Sequence, residues 1–320
     1  MLICRAAKVT YLSVKALSLN RCGEYHKTSL NMKMLDGVES YMESKFVRAG
    51  KVRLEYFEQG HGPDTLVLVH GYASSAAIWR YTLQFLSEDH FRVIVLNNRG
   101  AGRSDRSSSD GPFNEENYSV ETFAQDLFDA IDALNLEGFT LVGHSMGGAT
   151  VAQFALQHQD RIQGLVLMNP APLSGRPLKE GWEAEMRESL ERAGPPEGDM
   201  GFQAPHVTDD FKEAVLTDIS RNPVERFIGG RKSMAALKLR DRLDEIKVPT
   251  LVIGGDQDIT VGINNILAEF EALPKDMRHL HVYHGIGHSP NVEVPTSAVN
   301  TIGMFIDMAK ERGLQVLSVR

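Results

Sequence analysis

Short apolar runs alternating with helix-period segments predict an α/β protein, a mostly parallel twisted sheet with helices on both faces and a helical insertion. The first observation is a set of runs rich in Val, Leu and Ile: "TLVLVHG" (65–71), "FRVIVLNNRG" (91–100), "FTLVG" (139–143), "IQGLVLMN" (162–169) and "TLVIGG" (250–255). Each ends at a glycine or a polar residue, as strands buried on both faces do. The second is the helical spacing between them, clearest at Val120, Phe123, Ala124, Leu127, Ile131 and Leu134, which define one apolar face. The third is a break: residues 173–245 carry charged amphipathic segments and no strand pattern.

Taken in order, "FVRAGKVRLEYFEQG" (46–60) alternates apolar and polar residues about Gly50 and reads as a β-hairpin forming an antiparallel edge. Helices are expected over "AAIWRYTLQFLSE" (76–88), 120–134, "GGATVAQFALQ" (147–157) and "NNILAEFEAL" (264–273). A last strand, "MRHLHVYHG" (277–285), precedes a final helix over 295–311. The core is therefore assigned to 43–172 and 246–320, and 173–245 to a helical cap. Cap helices are expected around Trp182, Met186 and Leu190, from Thr208 through Phe211, Val215 and Ile219, and after Pro223, separated by "AGPPEGD" and "RNP". An insertion of this length reads as a lid over a pocket, against the plainer alternative of a second packing layer.

With 320 residues, 42% hydrophobic and 24% charged, and a net charge of −8, the composition is that of an ordinary globular protein. Its basic residues are scattered and no nucleic-acid motif occurs, which argues against a nucleic-acid partner. The two cysteines, Cys4 and Cys22, leave the body without disulfides or thiolate metal ligands, in keeping with a reducing, cytoplasmic setting. No apolar run reaches the roughly 18 residues that a membrane span needs. Residues 1–42 hold Arg5, Lys8, Lys15, Arg21, Lys27 and Lys33 against one acid, Glu24, before Asp36. They are read as a disordered or artefactual extension, with organelle targeting as the alternative and Met32, Met34 and Met42 as further possible starts.

Chemistry enters at "GHSMGG" (143–148), where a strand should turn directly into a helix. A G-x-S-x-G turn there forces Ser145 into a strained conformation above the carboxyl end of the sheet, and small neighbours prevent clashes. A lone hydroxyl is a weak nucleophile, so a base and an orienting acid are required later in the chain. "LVIGGDQD" (251–258) runs from a strand into an acidic loop, and "GIGHSPNVEVP" (285–295) places His288 in a loop after the next strand.

With "HGY" (70–72), "NNRGAGRSD" (97–105), "GHSMGG", "GGDQD" and "GHSPNVEVP" in that order, the chain resembles the α/β-hydrolase fold superfamily from about residue 45 to 312. The resemblance implies a catalytic triad of Ser145, Asp258 and His288, with no cofactor. Family spacing favours Asp258 over Asp256, which is left to cap its loop, and position 169, where some relatives carry the acid, is Asn169. The oxyanion donors implied are the backbone N–H groups of Met146 and Tyr72. In the turn that resembles D-x-R-G-x-G-x-S, Asn97 replaces the usual Asp and Ala101 a frequent His.

Histidines 279, 281 and 284 lack any metal-binding pattern and read as structural or exposed, while His144 is expected to pack away from the cleft. Trp182, Met186, Phe202 and Phe227 are the candidate apolar lining for a small-molecule substrate. Serine at 145 excludes the carboxylate-nucleophile branches of the family. Hydrolysis of a carboxylic ester or lactone of a small to medium apolar substrate is the favoured reading. The alternatives are a carbon-carbon bond hydrolase of the ring-cleavage type, whose members usually place Asn where His144 stands, and a non-catalytic ligand receptor.

Overall fold

The computed structural model describes residues 15–19, 25–29, 43–107, 114–193, 202 and 204–313. The chain divides into two units, Met1–Tyr41 and Met42–Arg320. In the first, β1 (Lys15–Leu19) and β2 (Tyr25–Ser29) pair antiparallel, a feature the sequence reading did not anticipate. The rest of the extension lies outside the described residues.

The second unit is built on an eight-stranded sheet. Its strands are β3 (Lys45–Ala49), β4 (Val52–Gln59), β5 (Asp64–Val69), β6 (Phe91–Leu96), β7 (Phe139–His144), β8 (Ile162–Met168), β9 (Thr250–Gly255) and β10 (Arg278–Tyr283). They lie side by side in the order β10-β9-β8-β7-β5-β6-β4-β3. The β3–β4 hairpin pairs antiparallel, as does β4 with β6, and all other pairings are parallel. The expected fold class is therefore the observed one.

The helices are α1 (Arg80–Leu83), α2 (Val120–Ala133), α3 (Met146–His158), α4 (Trp182–Ala193), α5 (Asp209–Ser220), α6 (Val224–Ala236), α7 (Ile263–Ala272), α8 (Pro290–Glu293) and α9 (Pro295–Glu311). Because side chains alternate along a strand, β5 sends Val67 and Val69 into one core and Leu66 and Leu68 into the other. The first core packs beneath α2 and α3 with Phe123, Leu127, Ile131 and Phe154; the second holds Trp79, Ile302 and Phe305. Burying each such side chain stabilises the fold by about 1.5–3 kcal/mol.

One expected helix is much shorter than its pattern. Residues 76–88 form a 3-10 turn, Ala76–Trp79, and the single turn α1. Ile78, Trp79, Leu83 and Leu86 plug the sheet face from this short segment, and the amides of His90 and Phe91 then bond Ser87 O to turn the chain into β6. Tertiary packing outweighs helical spacing here.

Residues 173–245, the expected cap, hold α4, α5, α6 and a 3-10 turn, Arg240–Glu245, with no strand among the described residues. Its two roots meet: Leu173 O accepts from the amides of Leu239 (2.7 Å) and Arg240 (3.2 Å), while Leu173 N donates to Glu269 on α7 at 2.9 Å. Arg240 closes the joint with a two-pronged pair to the fully buried Glu269 carboxylate. Among the described residues no helix is long and apolar enough to cross a membrane.

Candidate active site

Strand β7 delivers Ser145 into a conformation that L-residues avoid, φ 56° and ψ −120°, and α3 starts at the next residue. The flanking glycines are there because nothing larger fits. A Cβ on Gly143 would come within 2.3 Å of Gly147 O, and one on Gly147 within 2.4 Å of Val69 O. Ser145 is bound into the sheet by its own amide, which donates to Met168 O at 3.0 Å, and its carbonyl accepts from Ala171 N at 2.9 Å. The hydroxyl therefore stands on a rigid support at the carboxyl end of the sheet.

The candidate base and acid come from the loops after β10 and β9. His288 Nδ1 is 2.8 Å from Asp258 Oδ2, with the carboxylate side chain fully buried. The same oxygen accepts from Asn169 Nδ2 at 2.7 Å, and Oδ1 accepts from the amides of Thr260 (2.8 Å) and Val261 (3.0 Å). Burial pushes this carboxyl up, but the His288 hydrogen bond and charge, the Asn169 amide and the Val261 N–H outweigh it and hold Asp258 well below the usual carboxylate range. It therefore stays ionised against the imidazole. Asp256 sits elsewhere, on the exposed His284 ring (2.6 Å) and the Gly285 amide (2.7 Å).

Neighbours that the sequence reading missed fix the candidate base. Glu293, buried on α8, accepts from the amides of Gly287 (3.0 Å) and Ser289 (2.9 Å), the two residues that flank His288. His144 is buried against Trp79, and its Nε2 bonds His288 O at 2.9 Å with the two rings 4.9 Å apart. Burial, and then the proximity of His288, lower the His144 pKa to about 3, so the ring is neutral and donates Nε2–H to that carbonyl. Asn169, ruled out as the acid, adopts φ 41° and turns its amide onto the acid instead. Glu293 lies in the quoted "GHSPNVEVP" and Asn169 at the alternative acid position, so each carried a signal that went unused.

The candidate oxyanion donors converge on the same strand ends. The amides of Met146 and Tyr72 make no hydrogen bond within the protein among the described residues. Gly71 brings the Tyr72 loop against the elbow, since a Cβ there would lie 3.0 Å from Ser145 Cβ. His70 shapes that loop with Nε2 accepting from Asn98 N (3.1 Å) and Nδ1 near Gly71 O (2.9 Å). The Tyr72 phenol donates to Phe227 O on α6 at 2.7 Å, and burial pushes its pKa up to about 12.

The four apolar candidates separate. Phe227 is buried with its ring edge-on to Tyr72, centroids 6.0 Å apart. Phe202 is buried against Phe211 in the second core, a packing position. Trp182 and Met186 are half-buried on α4, a helix linked to α6 by Lys232, which bonds both Glu183 and Glu115 at 2.7 Å. The histidines near β10 point apart: His279 meets Phe305, His281 meets Tyr283 and His284 meets Asp256. The 97–105 turn is scaffold, with Asn97 bonding Glu55 and Ala76 N, and Arg99 gripping Asp126 through two 2.6 Å bonds.

This fold and loop arrangement define an α/β-hydrolase, and comparison with known proteins agrees. Residues 64–295 match the alpha/beta hydrolase fold family, and the chain belongs to it. A 2-hydroxy-6-oxononadienedioate/2-hydroxy-6-oxononatrienedioate hydrolase of Paraburkholderia xenovorans is 32% identical over 274 residues, 77% of this chain and 89% of that one. Among solved structures, a bromoperoxidase from Bacillus anthracis superimposes with a TM-score of 0.71 at 23% identity, covering 83% of this chain and all of the other. A thermophilic esterase from Thermogutta terrifontis gives 0.68 at 24% identity, covering 83% and 99%. The protein is a hydrolase of this family.

Proposed function

We propose that the chain is a serine hydrolase cleaving a carboxylic ester or lactone of a small to medium apolar substrate through an acyl-enzyme on Ser145. The observation that carries this reading is the strained elbow serine, whose preceding residue His144 bonds the carbonyl of His288 at 2.9 Å, together with the His288 Nδ1 held 2.8 Å from a buried, ionised carboxylate. Ser145 Oγ bonds the carbonyl carbon and gives its proton to His288 Nε2. Asp258 holds the ring with Nδ1 protonated and stabilises the imidazolium. The N–H groups of Tyr72 and Met146 take the developing oxyanion. The imidazolium then protonates the departing alkoxide, and water, deprotonated by His288, releases the acid from Ser145.

A second reading is favoured by the Paraburkholderia relative: hydrolysis of a carbon-carbon bond in a vinylogous diketone. His144 rather than Asn before the serine weighs against it. Initial rates on short and medium acyl esters, lactones, thioesters and vinylogous diketones, with Ser145→Ala as blank, separate the two. Turnover of esters or lactones that vanishes in the blank supports the first. Turnover of diketones alone replaces it with the second, and no Ser145-dependent turnover of any of them overturns both.

A further inference from the structure

Four consecutive residues of the loop after β5 are each tied to the cap, one bond apiece. The Tyr72 hydroxyl donates to Phe227 O (2.7 Å), Ala73 O accepts from Asn222 Nδ2 (2.9 Å), Ser74 O accepts from Arg226 Nη2 (3.3 Å) and Ser75 Oγ donates to Asp218 Oδ2 (2.5 Å). Asp218, Asn222 and Arg226 recur at every fourth position across the α5–α6 junction, so one face of that junction meets the whole loop. Asn222 is its hub. Its amide also bonds Ile219 O (2.9 Å) and Asp218 O (3.3 Å), and its Oδ1 accepts from Arg226 Nη1.

Two features distinguish this from ordinary packing of a lid. Ala73 is held at φ 53°, a conformation that persists only where neighbours over-determine it. Arg226 is 1% exposed, and among the described residues no carboxylate pairs with it. Its guanidinium is spent on one loop carbonyl and the Asn222 amide, and Nε has no partner. Burying a cation in this way is costly, and an apolar side chain would fill the space and hold the cap at less cost. What an apolar side chain could not do is fix the carbonyls of the loop whose Tyr72 N–H is left free.

We infer that Asn222 and Arg226 are positioning residues, which clamp the Tyr72–Ser75 loop to the cap so that the Tyr72 N–H is aimed at the oxyanion only while the cap is seated. This rests on the acyl-enzyme reading above. It makes enclosure of the substrate and assembly of the oxyanion site one event: a displaced cap releases the loop and leaves Ser145 without one donor.

The test uses the full-length chain, Asn222→Ala and Arg226→Met, with Arg226→Lys as the conservative variant. The measurements are kcat and KM on a small activated acetate ester, affinity for a trifluoromethyl ketone against the matching methyl ketone, and amide hydrogen exchange. The expected result is a fall in kcat of about 10- to 100-fold with KM within about threefold, because a transition-state donor is misplaced while ground-state binding is kept. Affinity for the trifluoromethyl ketone, which forms an oxyanion on the serine, should fall by the same factor, and that for the methyl ketone should not. The amides of residues 73–75 should exchange faster while those of β7 and α3 do not change, and Arg226→Lys should fall between. Should Arg226→Met not fold, Tyr72→Phe, which deletes only the bond to Phe227 O, is expected to show the same signature more weakly. Folded variants with kcat and loop exchange within twofold of the unsubstituted protein overturn the clamp. So does a loss of kcat that follows thermal stability while loop protection is kept. If the unsubstituted protein hydrolyses nothing, the acyl-enzyme reading has failed, and unchanged exchange at 73–75 in the variants then overturns the clamp separately.

Discussion

The carbonyl oxygen of His288 lies 2.9 Å from Nε2 of His144, so the residue preceding the elbow serine holds the His288 loop by its backbone. That bond requires a neutral donor ring, and burial enforces it by lowering the His144 pKa from an ordinary 6.5 to about 3. His70, buried under the neighbouring loop, is likewise lowered to about 3. The Ser145 elbow, the His288 loop and the Tyr72 loop thus share a layer of buried, uncharged imidazoles.

That layer sets the acid stability. Both rings bind protons more weakly folded than unfolded, so between pH 6.5 and about 3 the unfolded chain takes up the extra protons and stability falls as pH falls. Each histidine contributes a slope approaching about 1.4 kcal/mol per pH unit. Asp258, depressed instead, contributes stability that is present above the ordinary carboxylate value and lost only below it. The unfolding temperature should therefore begin to drop below about pH 6.5, and His144→Gln, which keeps an amide donor for His288 O, should flatten the drop. An unchanged slope in that variant would show that the ring is protonated in the fold.

The two acids of the β9 loop should behave differently. Asp258→Asn removes the charge facing the imidazolium and is expected to lower kcat by about 10⁴-fold, whereas Asp256→Asn, on the exposed His284, should cost less than about twofold. Kinetics of the two variants on one ester decide the matter. A larger loss in Asp256→Asn would move the acid by two residues.

Asn97 replaces an acid usual in the family, and the structure gives the reason: its Nδ2 donates to the buried Glu55 Oε2 at 2.9 Å. Asn97→Asp would set two carboxylates against each other and should destabilise by about 1–3 kcal/mol in denaturant unfolding. Adding Glu55→Gln should recover most of that loss. A neutral effect of Asn97→Asp alone would mean the pair is not coupled.

The sheet and the candidate triad were legible because each has a one-dimensional signature: strands buried on both faces are apolar runs, and the elbow needs glycines around Ser145. Arg226, Asn222 and Asn169 were not, since their partners Ser74, Ala73 and Asp258 are distant in sequence, and Glu293, whose partner Gly287 is close in sequence, was missed because polar residues in helices and loops look alike before folding. Phe202 shows the converse: it is apolar, within the cap and a plausible lining residue by pattern, yet it packs on Phe211.

The remaining apolar cap residues should divide by role. Trp182→Ala and Met186→Ala are expected to alter the ranking of acyl chain lengths by kcat/KM with little change in unfolding temperature. Phe202→Ala should lower that temperature, at a cost of about 3–5 kcal/mol, and leave the ranking alone. Chain-length profiles and thermal unfolding on the same variants test both, and a profile unmoved by Trp182→Ala would return that residue to cap packing.

The most direct test of the central claim is the intact mass of the protein after exposure to a fluorophosphonate. Ser145 as the activated nucleophile predicts a single phosphonyl adduct, mapped to the peptide containing Ser145, formed rapidly in the unsubstituted protein and absent in Ser145→Ala. An adduct that persists in Ser145→Ala, or no adduct on the folded protein, would contradict it.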